Sequence, residues 1–201
     1  MVGAVREQVD QAPVGAWFRP SELGGNAAEQ TLSRLARDPE SQLVRAAKGL
    51  YFKSAAPDPL FGKQKPTPVE IAKRVADGRG VGPAGGFAAA YLGLTTQVAA
   101  RPTLTVVGRP PAGVDGVDWR MRNNPVRAQL NFTEVAVLEV LSLFPYGTEV
   151  GWDEVVDRVG ELRDRKKINL SRIQNAVAAE RRKPALRRNL ERLLLDLAAR
   201  R

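Results

Sequence analysis

PSELGGNAAEQTLSRLARDPESQLVRAAKGLYFK, Pro20 to Lys53, is the stretch whose reading decides the fold. Pro20-Ser21-Glu22-Leu23 has the make-up of a single helical turn. Gly24-Gly25 then permits a tight reversal, because glycine accepts positive φ without a Cβ clash. Asn26 is placed to cap the next helix, with Glu29 three residues on as its capping-box partner, and Asp38-Pro39 stops it. Ala28, Leu32, Leu35 and Ala36 recur at helical spacing and gather on one face. Asn26, Gln30, Ser33, Arg34 and Arg37 therefore face outward. Two β-prone runs follow, Gln42 to Ala46 and Leu50 to Lys53, joined by Ala47-Lys48-Gly49, the pattern of a hairpin with glycine at its turn.

Working outward, Val2 to Gln11 is a short helix with Val5 and Val9 one turn apart, ended by Pro13, and Ala16 to Arg19 is a short strand. Short helices, glycine turn, capped helix and basic hairpin make the layout of a winged helix-turn-helix, in which the second helix enters the major groove and the wing meets the backbone. Asn26, Gln30, Ser33, Arg34 and Arg37 are the expected groove-facing residues, and Arg45, Lys48 and Lys53 the expected phosphate contacts of the wing. The plain alternatives are a solvated helix face and a winged helix used only for protein contact.

The Pro-rich stretch 57–66 reads as a linker between residues 1–56 and a second domain, 67–201. Thr67, Pro68 and Glu70 then start a helix that ends near Asp77-Gly78. The glycine-rich run from Gly78 to Gly86 lacks the Lys-Ser/Thr of a phosphate-binding loop and follows no predicted strand. It is read as a loop into a small-residue helix, Pro83 to Gly93. Thr103 to Val107 and Val117 to Arg122 have strand composition, the latter with Val117, Trp119 and Met121 on an apolar face. Helices are expected from about Thr133 to Leu143, Trp152 to Leu162, Ser171 to Arg181 and Pro184 to Ala199. The last carries a stripe of Leu186, Leu190, Leu193, Leu194 and Leu197. The fold class expected is mainly α with small β elements: an N-terminal winged helix and a mostly helical C-terminal domain with a short antiparallel sheet.

The 201 residues include 31 Lys and Arg against 22 Asp and Glu, a net charge of +9, and neither His nor Cys. Disulfides, Cys or His nucleophiles and His general bases are thereby excluded. No paired-carboxylate signature points to an enzyme, and no cofactor or metal is expected. A basic chain is steered to polyanions or acidic protein surfaces. Residues 1–100 hold 12 basic and 9 acidic side chains and residues 101–201 hold 19 and 13, so the charge is not confined to one tail. Met1 to Gln11 has no export-signal character, and Gly80 to Ala100, though uncharged, is too rich in Gly and Ala for a membrane helix. A cytoplasmic protein without a membrane partner is expected.

Leu32-Ser-Arg-Leu35, Lys48-Gly-Leu-Tyr51, Pro68-Val-Glu-Ile-Ala72, the run from Pro83 to Val98 and the strand after Arg101-Pro102 occur in an order that resembles the AbiEi-like antitoxins of type IV toxin–antitoxin systems. The resemblance covers about Ala16 to Leu143, and the helical C-terminal portion departs from longer relatives. It implies a protein that binds inverted repeats in its own promoter and opposes a co-encoded nucleotidyltransferase-like toxin. Arg120, Arg122, Arg187, Arg188 and Arg192 of the second domain are then the expected partner-binding residues. A stand-alone winged-helix regulator, or an adaptor without a toxin, is the alternative.

Overall fold

The computed structural model describes residues 2–77 and 80–200, with the Val2 side chain left aside. Gly78 and Arg79, which the sequence reading puts at a helix end and in the glycine-rich loop, lie outside the described residues. Packing divides the chain into two units, 1–71 with 113–115 and 72–112 with 116–201.

The first unit runs α1 (Val2–Gln11), β1 (Trp17–Phe18), a 3-10 turn (Pro20–Glu22), α2 (Asn26–Arg37), β2 (Leu43–Ala47) and β3 (Leu50–Lys53). The strands form an antiparallel sheet in the order β1-β3-β2. This is the connectivity of a winged helix. Val5 and Val9 of α1 meet Ala28, Leu32 and Leu35 of α2 over Phe18, Leu43 and Tyr51, so the apolar spacing seen in the sequence is the core itself. Gly24 and Gly25 take φ of 109° and 70° between the 3-10 turn and α2. Gly25, not Asn26, is the residue before the helix, and no side chain caps it. The expected Asn26 cap is therefore corrected: with the reversal made by two left-handed glycines, Asn26 already has helical backbone.

The stretch 57–66 is not a bare tether. Asp58 and Gly62 exchange backbone hydrogen bonds of 2.8 and 2.9 Å, and the Asp58 carboxylate accepts from the amides of Leu60 and Phe61. Lys63 then ties the segment to the end of α2, donating to the carbonyls of Ala36, Asp38 and Leu43. α3 (Pro68–Val75) opens as expected, with Glu70 accepting from the Thr67 amide and hydroxyl. The division between the units falls within this helix.

The second unit continues with β4 (Gly82–Pro83), α4 (Gly86–Leu92), β5 (Thr103–Val107), β6 (Asp118–Arg122), a 3-10 turn (Pro125–Gln129), α5 (Phe132–Leu143), α6 (Trp152–Asp164), α7 (Leu170–Ala178) and α8 (Pro184–Ala199). α5 is buried on nearly every side and forms the centre of a core to which α4, α6, α7 and α8 each contribute. Asn131 and Glu134 start it with a full capping box. Gly82 is needed for close approach, since a Cβ there would come within 2.4 Å of Val135 on α5. The glycine-rich loop thus serves packing in this stretch.

The sheet differs from expectation in one respect. β4 pairs with β5 antiparallel, but β5 pairs with β6 parallel, because the irregular segment 108–117 crosses back before β6 begins. The expected apolar face of β6 is covered in part: Val117 is buried and Trp119 half-buried, while Met121 is 61% exposed. Among the described residues no helix is long and apolar enough to cross a membrane.

Candidate nucleic-acid interface

Burial of Ala28, Leu32 and Leu35 turns the opposite side of α2 outward. Glu29, Gln30, Ser33, Arg34 and Arg37 line a shallow groove there, and Asn26 is exposed at the helix start. Gln30, Arg34 and Arg37 are exposed and form no ion pair with any described residue. An arginine fork in such a groove suits guanine O6 and N7, and a Gln amide suits adenine N6 and N7. The helix end is firm as well, because the Lys63 ammonium takes up the Ala36 carbonyl in the last turn and shares that of Asp38 with the Ser41 amide.

Glu29 has a different task from the capping box expected of it. Its Oε1 accepts a 2.9 Å hydrogen bond from the hydroxyl of Tyr51, a wholly buried residue of β3. Burial, then the Glu29 hydrogen bond and charge, push the Tyr51 hydroxyl above its ordinary pKa, while Arg45 and Ser33 pull the other way. Tyr51, Glu29, Ser33 and Arg45 thus meet at the base of the wing. Sequence reasoning missed Tyr51 because an apolar strand position gave no sign that its hydroxyl would cross to α2.

The hairpin turns at Lys48-Gly49, where Gly49 has a φ of 66° and Lys48 is exposed at the tip. Arg45 is exposed on β2 opposite Tyr51. Lys53 corrects the sequence reading. It is buried, and its ammonium donates to the carbonyls of Val9 (2.8 Å), Asp10 (2.8 Å) and Ala12 (2.7 Å). Three donors thereby cap the C-terminus of α1, so Lys53 has none left for a phosphate. The signal was there in part: α1 has no basic residue in its last turn and Pro13 ends it, leaving its carbonyls in need of a donor.

The five arginines expected to meet a partner are not equivalent. Arg122 is engaged, its Nε and Nη2 on the Glu139 carboxylate at 3.0 and 2.7 Å, which corrects its reading as a free contact. Arg187 donates to the carbonyls of Ala178 and Glu180 at the end of α7. Arg192 stacks 4.5 Å from the Trp152 ring centre and lies 3.8 Å from Asp196. Arg120 is exposed with its guanidinium against Gly85, and Arg188 is exposed without an ion pair to any described residue. Beneath Arg122 lies a buried network: Arg127 reaches Glu139 and Glu180 at 2.5 Å each, and Asn124 donates to Glu180 and to the Ala176 carbonyl. Burial pushes the Glu139 carboxyl up, but Arg122 and Arg127 outweigh it and hold the group below the usual range. A carboxylate in the otherwise apolar run Val135 to Leu141 was a hint that a cation must be brought to it.

No family model and no curated protein matches this chain. Among solved structures, the RV2827C protein from Mycobacterium tuberculosis is similar to it at a TM-score of 0.46 and 16% identity, over 96% of this chain and 75% of that one.

Proposed function

We propose that this chain is a cytoplasmic, non-enzymatic DNA-binding repressor of its own promoter that also acts as the antitoxin of a co-encoded nucleotidyltransferase-like toxin. The observation that carries the DNA reading is the outward groove of α2, where Gln30, Arg34 and Arg37 stand free beside an exposed wing tip at Lys48. Base-reading side chains on a helix, with a basic hairpin beside it, match how a winged helix reads a duplex. Support for the antitoxin reading comes from the resemblance of the segments between Ala16 and Leu143 to AbiEi-like antitoxins. Neutralisation falls to the second unit. Arg120 and Arg188 are its best contacts, since Arg122, Arg187 and Arg192 are already engaged within the fold.

The test uses duplex DNA from upstream of the chain's own reading frame and growth of cells expressing the neighbouring reading frame. Arg34→Ala and Arg37→Ala are each expected to weaken binding to that DNA by about 1–3 kcal/mol. Both positions are exposed, so melting should stay within about 0.5 kcal/mol of the parent. Unchanged affinity in both variants removes the recognition-helix assignment. Failure of the full chain to restore growth removes the antitoxin one.

A further inference from the structure

Glu29 is the one acidic residue lining the α2 groove, on a surface otherwise furnished to meet a polyanion. A carboxylate there repels phosphate, so its presence calls for a compensating contact. It is also held. Tyr51 belongs to the central strand of its sheet, paired with Phe18 on one side and Arg45 on the other, and is wholly buried. A hydroxyl fixed in this way binds one oxygen of Glu29 and keeps the half-buried side chain at the edge of the groove. No hydrogen bond to a described residue is formed by the other oxygen.

We propose that Glu29 is a base-reading residue that selects cytosine in the major groove, and that Tyr51 is the positioning residue that holds it there. This rests on the reading of α2 as a DNA-recognition helix. An ionised carboxylate only accepts hydrogen bonds. In the major groove only the exocyclic amines of cytosine and adenine donate, whereas guanine and thymine present acceptors and phosphates accept. The adenine amine lies between two acceptors, its own N7 and the O4 of the paired thymine, both of which oppose a carboxylate, while the cytosine N4 amine has an acceptor, the O6 of the paired guanine, on one side only. Arg34 and Arg37 on the same helix suit guanine, so the groove is furnished for a C next to a G, two bases of opposite demand read by two charges of opposite sign.

The experiment selects binding sequences from a randomised duplex library with the full-length chain and its variants, and follows with affinity and salt titrations on the selected duplexes. The parent is expected to enrich a position for C. Glu29→Gln, which exchanges an acceptor for an amide able to pair with adenine N6 and N7, should lose that preference by roughly tenfold or more and turn toward A at the same position. Tyr51→Phe, which keeps the ring and removes the hydroxyl, should weaken the same column and leave the arginine-read columns alone. If Glu29→Gln instead tightens binding to all sequences by one common factor with no column changed, Glu29 is only a repelling charge and the proposal is overturned. If the parent enriches no sequence at all, the failure is that of the DNA reading itself. An unchanged C column in Tyr51→Phe, with the fold intact, removes the positioning role.

Discussion

Lys53→Met separates a wing that touches DNA from a lysine that closes a helix. Methionine keeps the length and apolar stem of the side chain and removes the ammonium. Three carbonyls of the α1 terminus then lose their donor. The bond to Val9 is buried, while those to Asp10 and Ala12 are partly accessible, so water replaces the donor more readily at the latter two. An unsatisfied buried acceptor costs about 1–3 kcal/mol and partly solvated ones less, for a combined loss near 3 kcal/mol. For a small domain each kcal/mol is worth about 4–8 °C, so the first unit should melt roughly 10–25 °C lower. Calorimetry on the full chain reads this shift directly. Salt titration of DNA binding, at a temperature where the variant is folded, reads the alternative: a lost phosphate contact flattens the slope by about 0.9, a lost helix cap leaves it alone. An unchanged melting temperature together with a flattened slope would refute the assignment of Lys53 to α1.

Lys48→Ala is expected to behave in the opposite way, with melting unchanged and the salt slope lower by about 0.9 on promoter and random duplex alike; a parental slope takes the wing tip off the backbone. Glu139→Gln removes the carboxylate shared by Arg122 and Arg127 and should destabilise the second unit by about 1–3 kcal/mol, because Arg122 loses its carboxylate partner and the buried Arg127 keeps only Glu180. The Glu139 carboxyl is held below its unfolded pKa near 4.3. Its contribution to stability is therefore full above that pH and disappears as the pH falls through the folded value. Denaturant titrations from pH 7 downward should show a smaller acid-dependent loss in the variant, and parallel curves for the two proteins would count against the network.

Where structure is dictated by neighbours in the chain, the amino-acid order was enough. Ala28, Leu32 and Leu35 define the inner face of α2, Gly49 the turn of the hairpin, and Pro184 with the leucine repeat both ends of α8, which spans the residues its periodicity predicts. Each of these rests on contacts within one or two helical turns. The mainly α fold class with small β elements follows from them.

What the tertiary structure alone decided are pairings between residues far apart in sequence. Lys53 looks like its neighbour Lys48 on paper, yet it reaches back 44 residues to the Val9 carbonyl. Lys63, in a stretch that reads as linker, crosses to the end of α2, and Tyr51 crosses 22 residues to Glu29. Arg122 and Arg127 are drawn inward because Glu139, on the central helix, is buried only if cations accompany it. The parallel pairing of β6 with β5 was equally hidden, since strand composition says nothing of the neighbour's direction. Charge and periodicity are properties of a segment, whereas which charge is exposed and which caps a helix depends on what the fold brings against it. That is why the outward face of α2 could be read from the sequence, while the division of the lysines and arginines into structural and free ones could not.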